Sequence, residues 1–188
     1  GGEERGGLNP RVARKLPRFF DDVRSQEISV VEAALSALPS LARGLGRNGA
    51  TGLHIAAAFG GADVCRLLLQ HSADANAADA TGMVPLHWAA LNGHEAVVLL
   101  LAPRTADLNA RTAAMETPLH LACASGNVGA VHLLVMLGAD TSVKDSDRKM
   151  PLELLPEPVR EFTAAMLGKG LKKASLALED KLLEVDSS

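Results

Sequence analysis

The sequence predicts an all-α solenoid: stacked helix–turn–helix units with projecting β-hairpin loops, followed by a C-terminal helix. Three observations predict it. Unrelated residue types recur in one register of 33 positions: His54, His87 and His120; Gly60, Gly93 and Gly126; Asp74, Asp107 and Asp140. The pairs Leu67-Leu68, Leu100-Leu101 and Leu133-Leu134 keep the same step without a gap. The apolar residues are mostly Ala, Leu and Val, with four Phe, one Trp and no Tyr among 188 residues. Stacked short helices can close on such small side chains, because each unit buries its apolar face against the next.

The elements follow in chain order. Residues 1–16 read as a flexible basic arm. Arg5, Arg11, Arg14, Lys15 and Arg18 carry no acid between them. Residues 17–168 form the repeat array of about five units, with degenerate ends. The first unit, Phe19 to Leu35, keeps helical apolar spacing but lacks the later tetrapeptide, as expected of a terminal cap. The next units open on Thr51-Gly52-Leu53-His54, Val84-Pro85-Leu86-His87 and Thr117-Pro118-Leu119-His120. Pro85 and Pro118 suit a first helical turn, where the missing N–H has no helical partner to lose. Thr51 and Thr117 can cap it.

Each short first helix is rich in alanine and ends at Gly60, Gly93 or Gly126, where the chain must turn through positive φ. The second helices carry Val64, Leu67 and Leu68, then Val97, Leu100 and Leu101, at helical spacing. Asp74-Ala75-Asn76 and Asp107-Leu108-Asn109 then turn the chain toward a hairpin. Pro103 cannot continue a helix, so an early exposed turn is expected at Pro103-Arg104-Thr105. The fifth unit opens on Met150-Pro151-Leu152-Glu153 and places residues 158–167 in its second-helix slot. Residues 169–188 read as a C-terminal helix with Leu171, Leu178, Leu182 and Val185 on one side.

Period and tetrapeptide together resemble the ankyrin-repeat family, and the resemblance covers residues 17–168. It implies that His54, His87 and His120 hydrogen-bond within and between repeats. There are departures. Gly52 replaces Pro, Val84 replaces Thr, and Met150 and Glu153 replace Thr and His. Gly49 and Gly82 fit the family's hairpin turn, but Met115 and Arg148 stand where Gly is expected. A side chain at positive φ costs about 1 kcal/mol, so the third hairpin is expected to differ in shape.

The residues name no chemistry. Net charge is −3, which gives the whole chain no electrostatic case for nucleic acid or an acidic membrane. Zinc ligands must converge on one ion, whereas equivalent histidines of stacked units lie about 10 Å apart, as packed helices do. Cys65 and Cys123 stand outside any CxxC pattern and read as buried packing in a reducing compartment. No Ser-His-Asp order, phosphate-cradling loop or paired-carboxylate signature is present. Catalytic, cofactor-binding and metal residues are therefore not expected, nor is a small-molecule substrate.

The resemblance implies protein–protein recognition across the hairpin tips and the first-helix face. On this chain, large or charged side chains fall there at Arg47, Phe59, Met83, Trp88, Leu91, Met115, Glu116 and Lys149. Apolar clusters of this kind mark interaction surfaces. The expectation is a monomeric adaptor, scaffold or inhibitor that takes a partner helix or extended peptide with apolar anchors. Its expected site is inside the cell, in cytoplasm or nucleus. Two alternatives stay open. The chain opens on Gly rather than Met, so it can be the targeting or substrate-recognition domain of a larger enzyme. The basic arm can also attach the protein to nucleic acid or anionic lipid.

Overall fold

The computed structural model describes residues 10–46, 48–161 and 163–165. Helix α1 spans Pro10–Ser25 and α2 Ile28–Ala37, followed by a 3₁₀ turn over Pro39–Arg43. Three regular helix pairs come next: α3 (Gly52–Ala58) with α4 (Ala62–Gln70), α5 (Pro85–Leu91) with α6 (Glu95–Leu101), and α7 (Pro118–Ala124) with α8 (Val128–Met136). First helices pack in a row, α1 on α3, α3 on α5 and α5 on α7; second helices form a parallel row behind them. No strand occurs among the described residues.

The core is the repeat register made solid. Leu68, Leu101 and Leu134 are fully buried on the second helices, and Leu53, Leu86 and Leu119 on the first. Alanines Ala56, Ala57, Ala89 and Ala90 are fully buried between the rows, because only small side chains let neighbouring helices approach so closely. Gly60, Gly93 and Gly126 all take positive φ, which ends each first helix as the sequence predicts. Pro103 stands in a 3₁₀ turn over Ala102–Arg104, and α6 is seven residues long where α4 and α8 have nine.

Both ends depart from the pattern. Helix α1 already begins at Pro10, so residues 10–16, read as part of a flexible arm, are helical. The reason is amphipathic: Val12, Leu16, Phe19 and Val23 share one buried stripe. At the other end the fifth unit's first helix shrinks to a 3₁₀ turn over Pro151–Leu154, packed on α7. Residues 157–161 and 163–165 are helical in the second-helix slot. The C-terminal helix expected over 169–188 lies outside the described residues, as does Arg47.

The hairpins correct one expectation. Met115 and Arg148 adopt φ of 62° each, in the same left-handed well as Gly49 (72°) and Gly82 (79°). The loop bonds repeat with them: the Gly82 N–H donates to Asp79 O at 2.9 Å and the Met115 N–H to Thr112 O at 2.9 Å. The third hairpin therefore keeps the common shape. A side-chain acceptor helps hold it: Asp79, Thr112 and Asp145, one per loop, accept backbone N–H groups of the turn. Each loop is too short for a ladder of its own. The tips instead bond to one another, Ala80 N–H to Asn48 O, Ala113 N–H to Thr81 O and Ser146 N–H to Ala114 O.

Candidate functional site

The three signature histidines are structural latches. His54 Nδ1 accepts from the Thr51 N–H at 3.0 Å, while its Nε2 donates to Met83 O, in the next loop, at 3.0 Å. His87 repeats this with Val84 and Glu116 O, and His120 with Thr117 and Lys149 O. A carbonyl can only accept, so at His54 and His87 Nε2 carries the proton, while Nδ1, which accepts an N–H, carries none. Burial pushes His54 and His87 below the ordinary imidazole range, against the opposing pull of these carbonyls. In the last unit Glu153 Oε2 takes the capping role, accepting the Met150 N–H at 2.7 Å.

This latch fixes where three of the expected contact residues stand. Met83, Glu116 and Lys149 share one register, and their carbonyls are the histidine acceptors. Their main chains serve the scaffold, which leaves only their side chains to vary. Met83 and Glu116 are half-buried and Lys149 is exposed. Met115 is 41% exposed at its turn tip. Leu91 is half-buried, and its carbonyl accepts from Asn127 Nδ2 at 2.7 Å.

The structure brings Phe59 and Trp88 together. They line an open groove of about 450 Å³ between the first-helix face and two hairpin tips. Its floor is Ile55 and Ala58, and its tip wall includes Ala50 and Ala80. Met83, Leu91, Met115, Glu116 and Lys149 are not among its lining. Phe59, at the end of α3, is 53% exposed, and Arg24 from α1 stands 6.0 Å above its ring. A guanidinium over an aromatic face is attracted by the ring quadrupole.

Among the lining residues that the sequence did not point to are Arg24 and Asp79. Trp88 Nε1 donates to Asp79 Oδ2 at 3.1 Å, which orients the indole along the groove. Asp79 Oδ1 is occupied by the Thr81 N–H and hydroxyl, at 2.8 and 2.6 Å, and by the Met83 N–H at 3.1 Å. Partial burial alone would raise the Asp79 carboxyl. The bonds from Thr81, Trp88 and Met83 outweigh it and hold the group below its usual value. The carboxylate is thus committed to shaping the loop. A signal for it exists in the sequence, an Asp three residues before the turn Gly82, the pattern of an Asx turn.

Among the described residues no other part of the fold gathers reactive groups. Cys65 and Cys123 are buried, and burial pushes both thiols up to about 12. Among the described residues no group of three or more His, Cys, Asp or Glu could hold a metal ion. None of the described helices is long and apolar enough to cross a membrane.

Comparison with known families agrees with this architecture. A model of three consecutive ankyrin repeats matches residues 23–112, and a single ankyrin repeat matches residues 116–146. No curated protein sequence matches the chain. Ankyrin repeats are generally protein–protein interaction modules and typically non-catalytic. Period, latch and family match converge: this chain belongs to the ankyrin-repeat family.

Proposed function

We propose that the protein is a recognition module, an adaptor, scaffold or inhibitor, that seats a partner helix or extended peptide between its hairpin tips and first-helix face. The observation that carries this reading is the groove beside Phe59. An aromatic side chain more than half exposed costs free energy in water, and the cleft beside it has room for an apolar anchor. Ala50, Ala58 and Ala80 keep its walls low enough for a partner backbone to approach. Trp88 offers a large rigid surface of the kind enriched at interface hot spots. Met115 and Lys149, further along the tips, would meet a longer ligand.

The buried, reduced cysteines fit a working site in cytoplasm or nucleus, and the module is read as a monomer. A second reading keeps the same groove but makes the stack the targeting domain of a larger enzyme. Further domains in the full reading frame would favour it.

The test is comparative capture. Wild-type protein and the double variant Phe59→Ala/Ala80→Glu are used as baits, with circular dichroism showing that both fold. Partners held by wild type and lost by the variant support the groove. An identical set of partners on both baits sinks it.

A further inference from the structure

A second concave surface lies on the outer face of the first unit. A cleft of about 570 Å³ runs between α1 and α2. Val30, Ala33 and Ala34 form much of its floor, and Arg14, Lys15 and Arg18 stand along its rim. All three cations are exposed, and among the described residues none of them is in an ion pair. Asp22, the one acid among the described residues lining the cleft, follows one turn beyond Arg18. Ile28 and Val30, exposed by 43% and 37%, extend the apolar surface along the start of α2.

We propose that this face docks an acidic amphipathic helix of a partner protein. The register explains why. The inner units show what a seated repeat covers at one point of this face, the position of Arg18. Arg18 occupies the position of Thr51, Val84 and Thr117, which are only 3%, 5% and 0% exposed. An ordinary repeat seated on α1 and α2 would strip water from Arg18 and return no partner for its charge. An occupant must therefore bring carboxylates to the rim and apolar side chains to the floor.

A helix with leucines at helical spacing, flanked by glutamates, supplies both. It also continues the helix-on-helix packing that builds the stack. Val30, Ala33 and Ala34 line the floor of a concavity, with Ile28 beyond its edge. That shape suits a ridge of side chains better than the plane of a bilayer. The cluster of like charge would also steer an acidic ligand, in a chain whose overall charge is negative.

The experiment uses the full chain and a fluorescent 18-residue helical peptide of Leu, Ala and Glu, with its Glu→Gln counterpart as control. Anisotropy should show the acidic peptide binding at least tenfold more tightly than the control, with affinity falling as salt is raised. The triple variant Arg14→Glu/Lys15→Glu/Arg18→Glu should weaken it at least tenfold. Arg18→Gln, which removes only one exposed charge, should weaken it about threefold and keeps the test readable if the triple variant unfolds. Phe59→Ala/Ala80→Glu should bind the peptide normally, which separates this surface from the groove. The proposal is overturned if both peptides bind alike, if neither binds, or if the charge variants bind unchanged. Binding to phosphatidylserine–phosphatidylcholine vesicles without binding to the acidic peptide would also overturn it.

Discussion

The imidazole Nε2 of His54 lies 3.0 Å from the carbonyl oxygen of Met83, 29 residues further along the chain. The same ring accepts the Thr51 N–H through Nδ1. One side chain thus caps its own helix and clamps the loop of the next unit. His87 and His120 repeat the arrangement, so the three interfaces from the second unit to the fifth each carry a polar clasp as well as apolar packing.

Removing a clasp should be costly. His54→Ala or His87→Ala leaves a buried loop carbonyl and a helix N-terminus without partners. Each is expected to lower stability by about 2–3 kcal/mol. Thr117→Val copies the sequence of unit three, where Val84 has no hydroxyl to offer, and should cost only about 1 kcal/mol. Urea unfolding curves would rank them. Equal losses for His87→Ala and Thr117→Val would show that the latch is not the main contributor.

The same histidines make stability depend on pH. Burial, the largest effect on each, holds His54 and His87 below the ordinary value of 6.5, so the folded state keeps both neutral. As pH falls below 6.5 the unfolded chain takes up these protons first. Stability is therefore fully present above that value and is lost as pH falls through the lower folded values. The urea midpoint should drop between pH 7.5 and pH 5.5. The drop should shrink in His54→Gln/His87→Gln measured against its own midpoint at pH 7.5. An undiminished pH response in that variant would place the effect elsewhere.

The left-handed turns give opposite expectations for two kinds of substitution. Gly126 has φ of 70° and no atom within 4 Å of an added Cβ, so Gly126→Ala should lose about 1 kcal/mol from conformation alone. At Gly60, with φ of 77°, a Cβ would come 2.7 Å from His94 Nδ1, and that ring bonds to Ala58 O across the interface. Gly60→Ala should cost more than Gly126→Ala. Met115→Gly should instead stabilise the protein, by up to about 1 kcal/mol, because it relieves strain at a tip whose side chain is 41% exposed. Thermal unfolding of the three variants would decide their order.

Cys65 and Cys123 should be inert in the folded protein. The thiolate is the reacting species, and burial has pushed both thiols to about 12. Iodoacetamide at pH 8 is expected to modify neither residue in native buffer and both in urea, as read by intact mass. Rapid native labelling of either cysteine would mean that its helix pair opens readily.

The period alone determined most of this molecule. A step of 33 residues places Leu68, Leu101 and Leu134 on one buried row, and it sets Gly60, Gly93 and Gly126 at the same turn. Such features are local and repeated, so each unit states them again. What only the tertiary structure decided lies where neighbouring units meet. Met115 and Arg148 accept positive φ because the tip-to-tip bonds and the Thr112 and Asp145 acceptors hold their loops in the common shape. Phe59 and Trp88 share a groove, while Met83 in the adjoining loop is set aside, because the groove depends on how one unit's helix face abuts two loops. Arg24 reaches Phe59 from another helix, 35 positions away in sequence. Periodicity names the residues of a row; contacts between rows depend on stacking distance and rotation, which no single unit encodes.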